Sequence, residues 1–281
     1  MKTIVKGEVN LIVLLKTVVF ISYMALVFLT EIIIFPLYLI ILIFYKNKSE
    51  LLPKISKFII SNGLKIFFIL DIKNFSEEMK KIKAATGPRI YILNHSSIFD
   101  IILLFLLPDN VKTLVKESYT KIPIFGKIIK LNGNIVVKES NGESQTLSYD
   151  SAIAELKKNS IIAVFPEGTR SRDGNIGRYK TGAFKMAYET QAEIIPVVMD
   201  SWNIVRAGDG FWFRDGKAFA KVMDSYNYSD YKDLDIKAFS KTMKEKMVCA
   251  LSEIREYRKT ADKKYYRNSK YFRELDKNSG V

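Results

Sequence analysis

His95 is the single histidine of the chain. Imidazole is the side chain whose ordinary pKa lies near neutrality, so general-base chemistry by an imidazole falls to His95 or to no residue. Its surroundings read Asn94-His95-Ser96-Ser97-Ile98-Phe99-Asp100. On a straight helix, residues five apart point about 140° away from one another, so His95 and Asp100 do not pair there. They pair if His95 sits in a strand-to-helix turn and Asp100 in the first turns of the helix, where a carboxylate also suits the helix dipole. Asp100 would then hold one ring nitrogen and fix the tautomer. The other nitrogen would be open to take a proton from a substrate hydroxyl. This is the logic of a hydrolase triad with the nucleophilic serine replaced by the substrate. Ser96 or Ser97 is expected to cap the helix rather than to act as a nucleophile. Taken alone, this segment also fits a histidine that merely satisfies a loop.

A second candidate segment is Pro166-Glu167-Gly168-Thr169-Arg170-Ser171, followed by Arg172 and Lys180. Gly174, Gly177 and Gly182 lie in the same stretch. The planar fork of arginine suits a phosphate bidentately. Glycines let backbone N–H groups approach an anion. The plain alternative is a solvated basic loop, and the position directly after an apolar run argues against it.

Both segments need a frame. From Arg89 short apolar runs alternate with longer helical patterns. Strands are expected at Arg89–Leu93, Val111–Val115, Ile135–Val137, Ile161–Phe165, Ile194–Met199 and Lys217–Met223. Helices are expected at Ser97–Leu107, Thr146–Lys158, Ala183–Thr190 and Ile236–Tyr257. Such alternation implies βαβ units: an α/β fold with a mainly parallel central sheet flanked by helices. Ligands of open α/β sheets bind beyond the C-terminal ends of the strands, which is where both segments fall. Cys249 is assigned to the apolar face of the last helix, as core packing.

Residues Leu11 to Tyr45 are almost continuously apolar, interrupted by Lys16, Glu31 and Pro36. Leu11–Thr30 meets the roughly 20 apolar residues a membrane span requires. Ile32–Tyr45 is a second span, a re-entrant piece or an interfacial helix. A cleaved signal peptide is disfavoured, because the run exceeds an h-region of about 7–15 residues and no small-residue cleavage site follows. Lys2 and Lys6 precede the run, and Lys46, Lys48, Lys54 and Lys57 follow it. By the positive-inside rule both ends face the cytoplasm, as in a hairpin. The expected organisation is a hydrophobic membrane-anchoring helical segment at 1–50, an α/β domain at 51–258 and a basic polar tail at 259–281. Within the domain, Leu51–Leu70 is a basic amphipathic stretch that suits either core or membrane surface.

The chain has 281 residues and a formal net charge of +14. That charge calls for a polyanionic partner: nucleic acid, an anionic membrane surface or a phosphorylated substrate. No nucleic-acid motif and no regular aromatic–basic interleaving is present, so nucleic acid is set aside. One cysteine excludes an intrachain disulfide, and one Cys with one His cannot furnish a usual zinc set.

At these residues the chain resembles the 1-acylglycerol-3-phosphate acyltransferase family of glycerolipid acyltransferases. Asn94-His95-x4-Asp100 is similar to its catalytic first motif, and Phe165 to Ser171 to its third. Ile195-Pro196-Val197 resembles the fourth. The segment Gly133-Asn134-Ile135-Val136-Val137-Lys138 matches the second, with Lys138 where the family has an arginine; the positive charge stays and the fork is lost. The resemblance covers roughly Arg89 to Met199. It implies direct transfer of an acyl group from acyl-CoA or acyl carrier protein to the sn-2 hydroxyl of lysophosphatidic acid, at the cytoplasmic face of a membrane. It implies His95 as base, with Asp100 orienting it. Arg170 and Lys138 would hold the acceptor's phosphate, and Glu167 would help position the acceptor. Gly168 and Thr169 belong to the same binding loop, with oxyanion donors among the backbone N–H groups near Gly168. No metal or organic cofactor is required. Two alternatives stay open: acylation of another lysolipid, such as a lyso-ornithine lipid, and an inactive lipid-binding membrane protein.

Overall fold

The computed structural model describes residues 11–19, 21–22, 25, 77–121, 126, 129, 133–137, 142–202, 204–206, 212 and 218–261. Six strands form one sheet: β1 (Arg89–Leu93), β2 (Val111–Lys116), β3 (Ile135–Val137), β4 (Ile161–Val164), β5 (Glu193–Asp200) and β6 (Phe219–Val222). Their order is β3-β2-β4-β1-β5-β6. The first five run parallel, and only β6 is antiparallel, against β5. The expected mainly parallel α/β sheet is thus present.

All five residues of β1 are buried. A strand covered on both faces has no polar side, which is why its apolar run is nearly continuous. Successive side chains point to opposite faces. Ile90 and Ile92 join Leu156, Phe184, Phe239, Met243 and Met247 in one core. Those partners come from α3 (Gly142–Leu156), α4 (Gly182–Thr190) and α6 (Ile236–Ala261). Tyr91 and Leu93 join Phe99, Leu103 and Leu107 in the other. The exception in β1 is Arg89, whose guanidinium is held between Asp109 and Glu193 at 2.8 and 2.7 Å.

The helix after β1 is shorter than expected. α1 covers Phe99–Leu103 and passes into a 3-10 turn at Leu104–Leu106. Pro108 explains the stop: it forces the preceding Leu107 into extended backbone, at φ −59° and ψ 145°. Two single-turn helices were not foreseen, α2 (Glu117–Thr120) and α5 (Tyr228–Tyr231). α6 runs to Ala261, past the expected start of the tail. Cys249 is a correction. It is exposed, because it lies two residues from buried Met247 and so about 200° around the helix.

Residues 11–19 are helical, with Val13 and Thr17 buried and Leu11, Ile12, Leu15, Val18 and Val19 exposed. Among the described residues no helix is long and apolar enough to cross a membrane. Most of the expected anchor, the stretch Leu51–Leu70 and the tail beyond 261 lie outside the described residues.

Candidate active site

Strand order decides which loops meet. β1 lies between β4 and β5, all three parallel, so the segments leaving their C-terminal ends share one edge of the sheet. The segment after β1 carries His95 and Asp100, that after β4 carries Glu167 to Arg170, and that after β5 begins at Ser201.

His95 sits in the turn between β1 and α1, and Asp100 is the second residue of α1. Asp100 Oδ2 lies 2.9 Å from His95 Nδ1. The same oxygen accepts the backbone N–H groups of Ser96 (2.6 Å) and Ser97 (2.9 Å). The other oxygen, Oδ1, accepts the hydroxyl of Ser201. Asp100 is fully buried, and every one of these partners donates to it, as a carboxylate acceptor requires. Nδ1 therefore carries a proton, and in the neutral ring Nε2 is the nitrogen with the lone pair. Nε2 makes no hydrogen bond among the described residues. The ring stacks on Phe165 at 4.3 Å between centroids, and its side chain is 14% exposed. The ring is thus held at Nδ1 by Asp100 and stacked on one face by Phe165, with its side chain partly exposed.

Ser97 behaves as the expected local cap: its Oγ accepts Phe99 N–H (3.2 Å) and donates to Val205 C=O (2.9 Å). Ser96 Oγ contacts Ser201 Oγ at 3.0 Å. Since Ser201 gives its one proton to Asp100, Ser96 is the donor in that pair. Neither serine is placed as a nucleophile. Asn94 clamps β1 to β5, donating to Met199 C=O (2.8 Å) and accepting Met199 N–H (2.7 Å).

Glu167 braces the loops. One carboxylate oxygen accepts the backbone N–H of His95 (2.8 Å), the other that of Gly177 (2.7 Å). Burial pushes its carboxyl above the ordinary value, and these two amides offset that only in part. Ser171 N–H donates to His95 C=O at 2.8 Å. The backbone of His95 is therefore gripped on both sides by the second segment. Gly168 has φ +67°, a conformation that favours glycine, and its N–H donates to Phe165 C=O. Thr169 is exposed and Arg170 half-buried, and neither makes a hydrogen bond or ion pair among the described residues. Lys138 lies outside the described residues; Val137 before it is the last residue of β3. The described residues contain no group of three metal-ligating side chains.

So the structure brings together His95, Asp100, Glu167, Gly168, Thr169 and Arg170. It adds Ser201, Asn94 and Ser171, which the sequence did not assign to the site. Asn94 and Ser171 lie in the two candidate segments without a role given to them; for Ser201 the signal was positional, since it follows the C-terminal end of a strand neighbouring β1.

A family model described as Acyltransferase matches residues 74–200. The chain is 30% identical to the 1-acyl-sn-glycerol-3-phosphate acyltransferase of Haemophilus influenzae over 182 residues, 63% of this chain and 73% of that protein. It is 32% identical to the chloroplastic 1-acyl-sn-glycerol-3-phosphate acyltransferase LPAT1 of Arabidopsis thaliana over 123 residues, 44% of this chain and 35% of that protein. The chain also spans only 61% of a Caenorhabditis elegans relative. The crystal structure of the 1-acyl-sn-glycerophosphate (LPA) acyltransferase PlsC from Thermotoga maritima superposes with a TM-score of 0.67 at 21% identity, over 87% of this chain and 95% of that one, which shows a shared fold. With the His95–Asp100 pair and the bracing loop standing at one sheet edge inside the matched region, the chain belongs to the 1-acyl-sn-glycerol-3-phosphate acyltransferase family.

Proposed function

We propose that the chain transfers a fatty acyl group from an acyl thioester to the sn-2 hydroxyl of 1-acylglycerol-3-phosphate, giving phosphatidic acid. The observation that carries this is the His95–Asp100 pair, with Nδ1 bound at 2.9 Å and Nε2 left open beside the loop of Glu167 to Arg170. Nε2 takes the proton of the acceptor hydroxyl as its oxygen attacks the thioester carbon. The tetrahedral intermediate carries its charge on the former carbonyl oxygen, and backbone N–H groups at Thr169 and Arg170 are the donors that suit it. Collapse breaks the C–S bond, and the departing thiolate takes the proton back from His95. Arg170 and Lys138 supply cations for the acceptor's phosphate. Glu167 acts on the acceptor indirectly, by fixing the loops that hold it.

The names of the relatives support this acceptor, and the acyl donor is either a CoA or a carrier-protein thioester. A second reading, acylation of another lysolipid, is favoured by one residue: Lys138 offers the phosphate a point charge in place of a fork. The inactive-scaffold reading has against it a complete His95–Asp100 pair and a complete brace. We further propose that residues 1–50 anchor the enzyme to a membrane, residues 51–258 form the catalytic domain and 259–281 a basic tail, with the active site facing the cytoplasm. The apolar run and the lysines on either side of it support that placement.

The test is an acyl-transfer assay on detergent-purified protein. Lysophosphatidic acid is offered with acyl-CoA or acyl carrier protein to the wild type and to His95→Ala. Phosphatidic acid is expected from the wild type alone. Substantial product from His95→Ala would remove it as the base. Absence of product from the wild type with both donors would transfer the assignment to another lysolipid acceptor.

A further inference from the structure

We propose that Arg255, on α6, is a positioning residue for His95, and that the C-terminal helix is thereby a working part of the site. The match to the family model ends at residue 200, so α6 lies beyond it. Arg255 Nη1 donates to Asn175 Oδ1 at 3.1 Å and Nη2 to Gly174 C=O at 2.6 Å. Its Nε stands 4.0 Å from Asp200 Oδ1. The side chain is 11% exposed. One planar fork therefore joins two separate approaches to the histidine.

The first approach runs through the loop. Gly174 and Asn175 lead into Gly177, whose N–H holds Glu167, and Glu167 holds His95 N–H. In the same loop Ser171 N–H holds His95 C=O, and the Ser171 hydroxyl donates to Asp173 (2.9 Å), which also accepts Asn175 N–H (3.1 Å). The second runs through β5. Asp200 precedes Ser201, whose hydroxyl donates to Asp100, the partner of His95 Nδ1.

Arg258, one turn further along α6, sets the role of Arg255 apart. Arg258 is bonded to Asp200, 3% exposed and packed over Phe219 at 4.9 Å. It is the nearer cation to buried Asp200. What Arg255 adds is its reach to Gly174 and Asn175. Arg255 thus bonds the loop that holds the backbone of His95, while its Nε, which makes no hydrogen bond, faces the strand end that leads to the carboxylate's partner across 4.0 Å.

The test uses the full chain in detergent, and its kinetic arm rests on the acyl-transfer reading above. Because His95 is the only histidine, its ring nitrogens are the only imidazole signals in a histidine-labelled sample. Wild type, Arg255→Ala and Arg255→Lys are compared for kcat, KM and the nitrogen spectrum of that ring. Arg255→Ala is expected to lower kcat by roughly ten- to a hundredfold, as a misplaced catalytic group does. KM for the acceptor should change much less, and the ring should lose its single Nδ1–H tautomer. Arg255→Lys keeps the cation near Asp200 and one bond to the loop, so it should recover part of both. A folded Arg255→Ala with wild-type kcat and ring spectrum overturns the proposal. So does a fall in kcat with an unchanged ring spectrum, which marks a merely structural residue. If the wild type transfers no acyl group, the acyl-transfer reading fails, and the ring spectrum still decides the positioning role. Should Arg255→Ala not fold, Asn175→Ala removes one of the two loop acceptors without touching Asp200 and is judged by the same two results.

Discussion

The carboxylate of Asp100 is the most heavily committed group of the site: a ring nitrogen, two backbone amides and a serine hydroxyl all address it. Asp100→Asn keeps the volume and replaces one acceptor with an NH2 donor. Turned toward His95, that NH2 faces the two backbone amides and forces the other ring tautomer; turned toward Ser201, it can donate to the hydroxyl, which must then pass its own proton to Ser96. The expected costs are about 1–3 kcal/mol of stability for the unsatisfied buried groups. A loss of roughly 10³–10⁴ in kcat is expected from the wrong tautomer. Thermal unfolding and steady-state kinetics on one preparation measure both; a kcat within tenfold of wild type would deny Asp100 its orienting role. At this scale the sequence was informative for His95 and Asp100, because at a five-residue spacing they can pair in a strand-to-helix turn and not along a straight helix. It was silent on Ser201, which lies 101 residues beyond Asp100 and has no chemistry that marks it out among serines.

Elements are tied to one another by a few charged contacts between packed faces. Lys112 on β2 bonds Glu155 on α3, which also accepts Ser160 Oγ at 2.9 Å and Lys158 Nζ at 3.1 Å. These donors, Lys112 foremost, lower the Glu155 carboxyl from about 4.5 to about 2. A carboxyl lowered in the folded state stabilises the fold above its unfolded value, and that contribution is lost as pH falls through the folded value. Wild type should therefore lose stability relative to Glu155→Gln between about pH 4.5 and pH 2. Acid unfolding followed by circular dichroism decides it, and parallel curves for the two proteins would leave Glu155 with no part in acid stability. The strands were legible because burial on both faces writes itself as short continuous apolar runs. The direction of β6 was not, since an apolar run carries no sign of which way its neighbour points. The place of Cys249 was misread although Ala250 beside it is buried, since one step on a helix turns a side chain by about 100°, from core to solvent.

The whole molecule combines a net charge of +14 with an apolar N-terminal run. These attract a membrane by different forces. Charge attraction to anionic lipid is screened by salt, with a Debye length of about 10 Å at 0.1 M, whereas burial of apolar surface is not. The expected outcome is that the full chain co-sediments with neutral as well as anionic vesicles. Raising the salt should weaken only the excess binding to anionic ones, and detergent should release the remainder. Complete release from both by salt alone would refute the apolar anchor and leave a surface-bound protein. The fold class, the single imidazole, the carboxylate five residues after it and the loop after β4 were legible in the sequence. Those follow from residue type and from periodicity over a few neighbours, which is local information. Only the tertiary structure decided that β1 lies between β4 and β5, so that segments far apart in the chain close on one histidine. It alone brought Glu167 to the backbone of His95, Ser201 to Asp100 and Arg255 to Gly174, because strand order and helix packing, and not spacing along the chain, set which polar groups must find partners once they are buried.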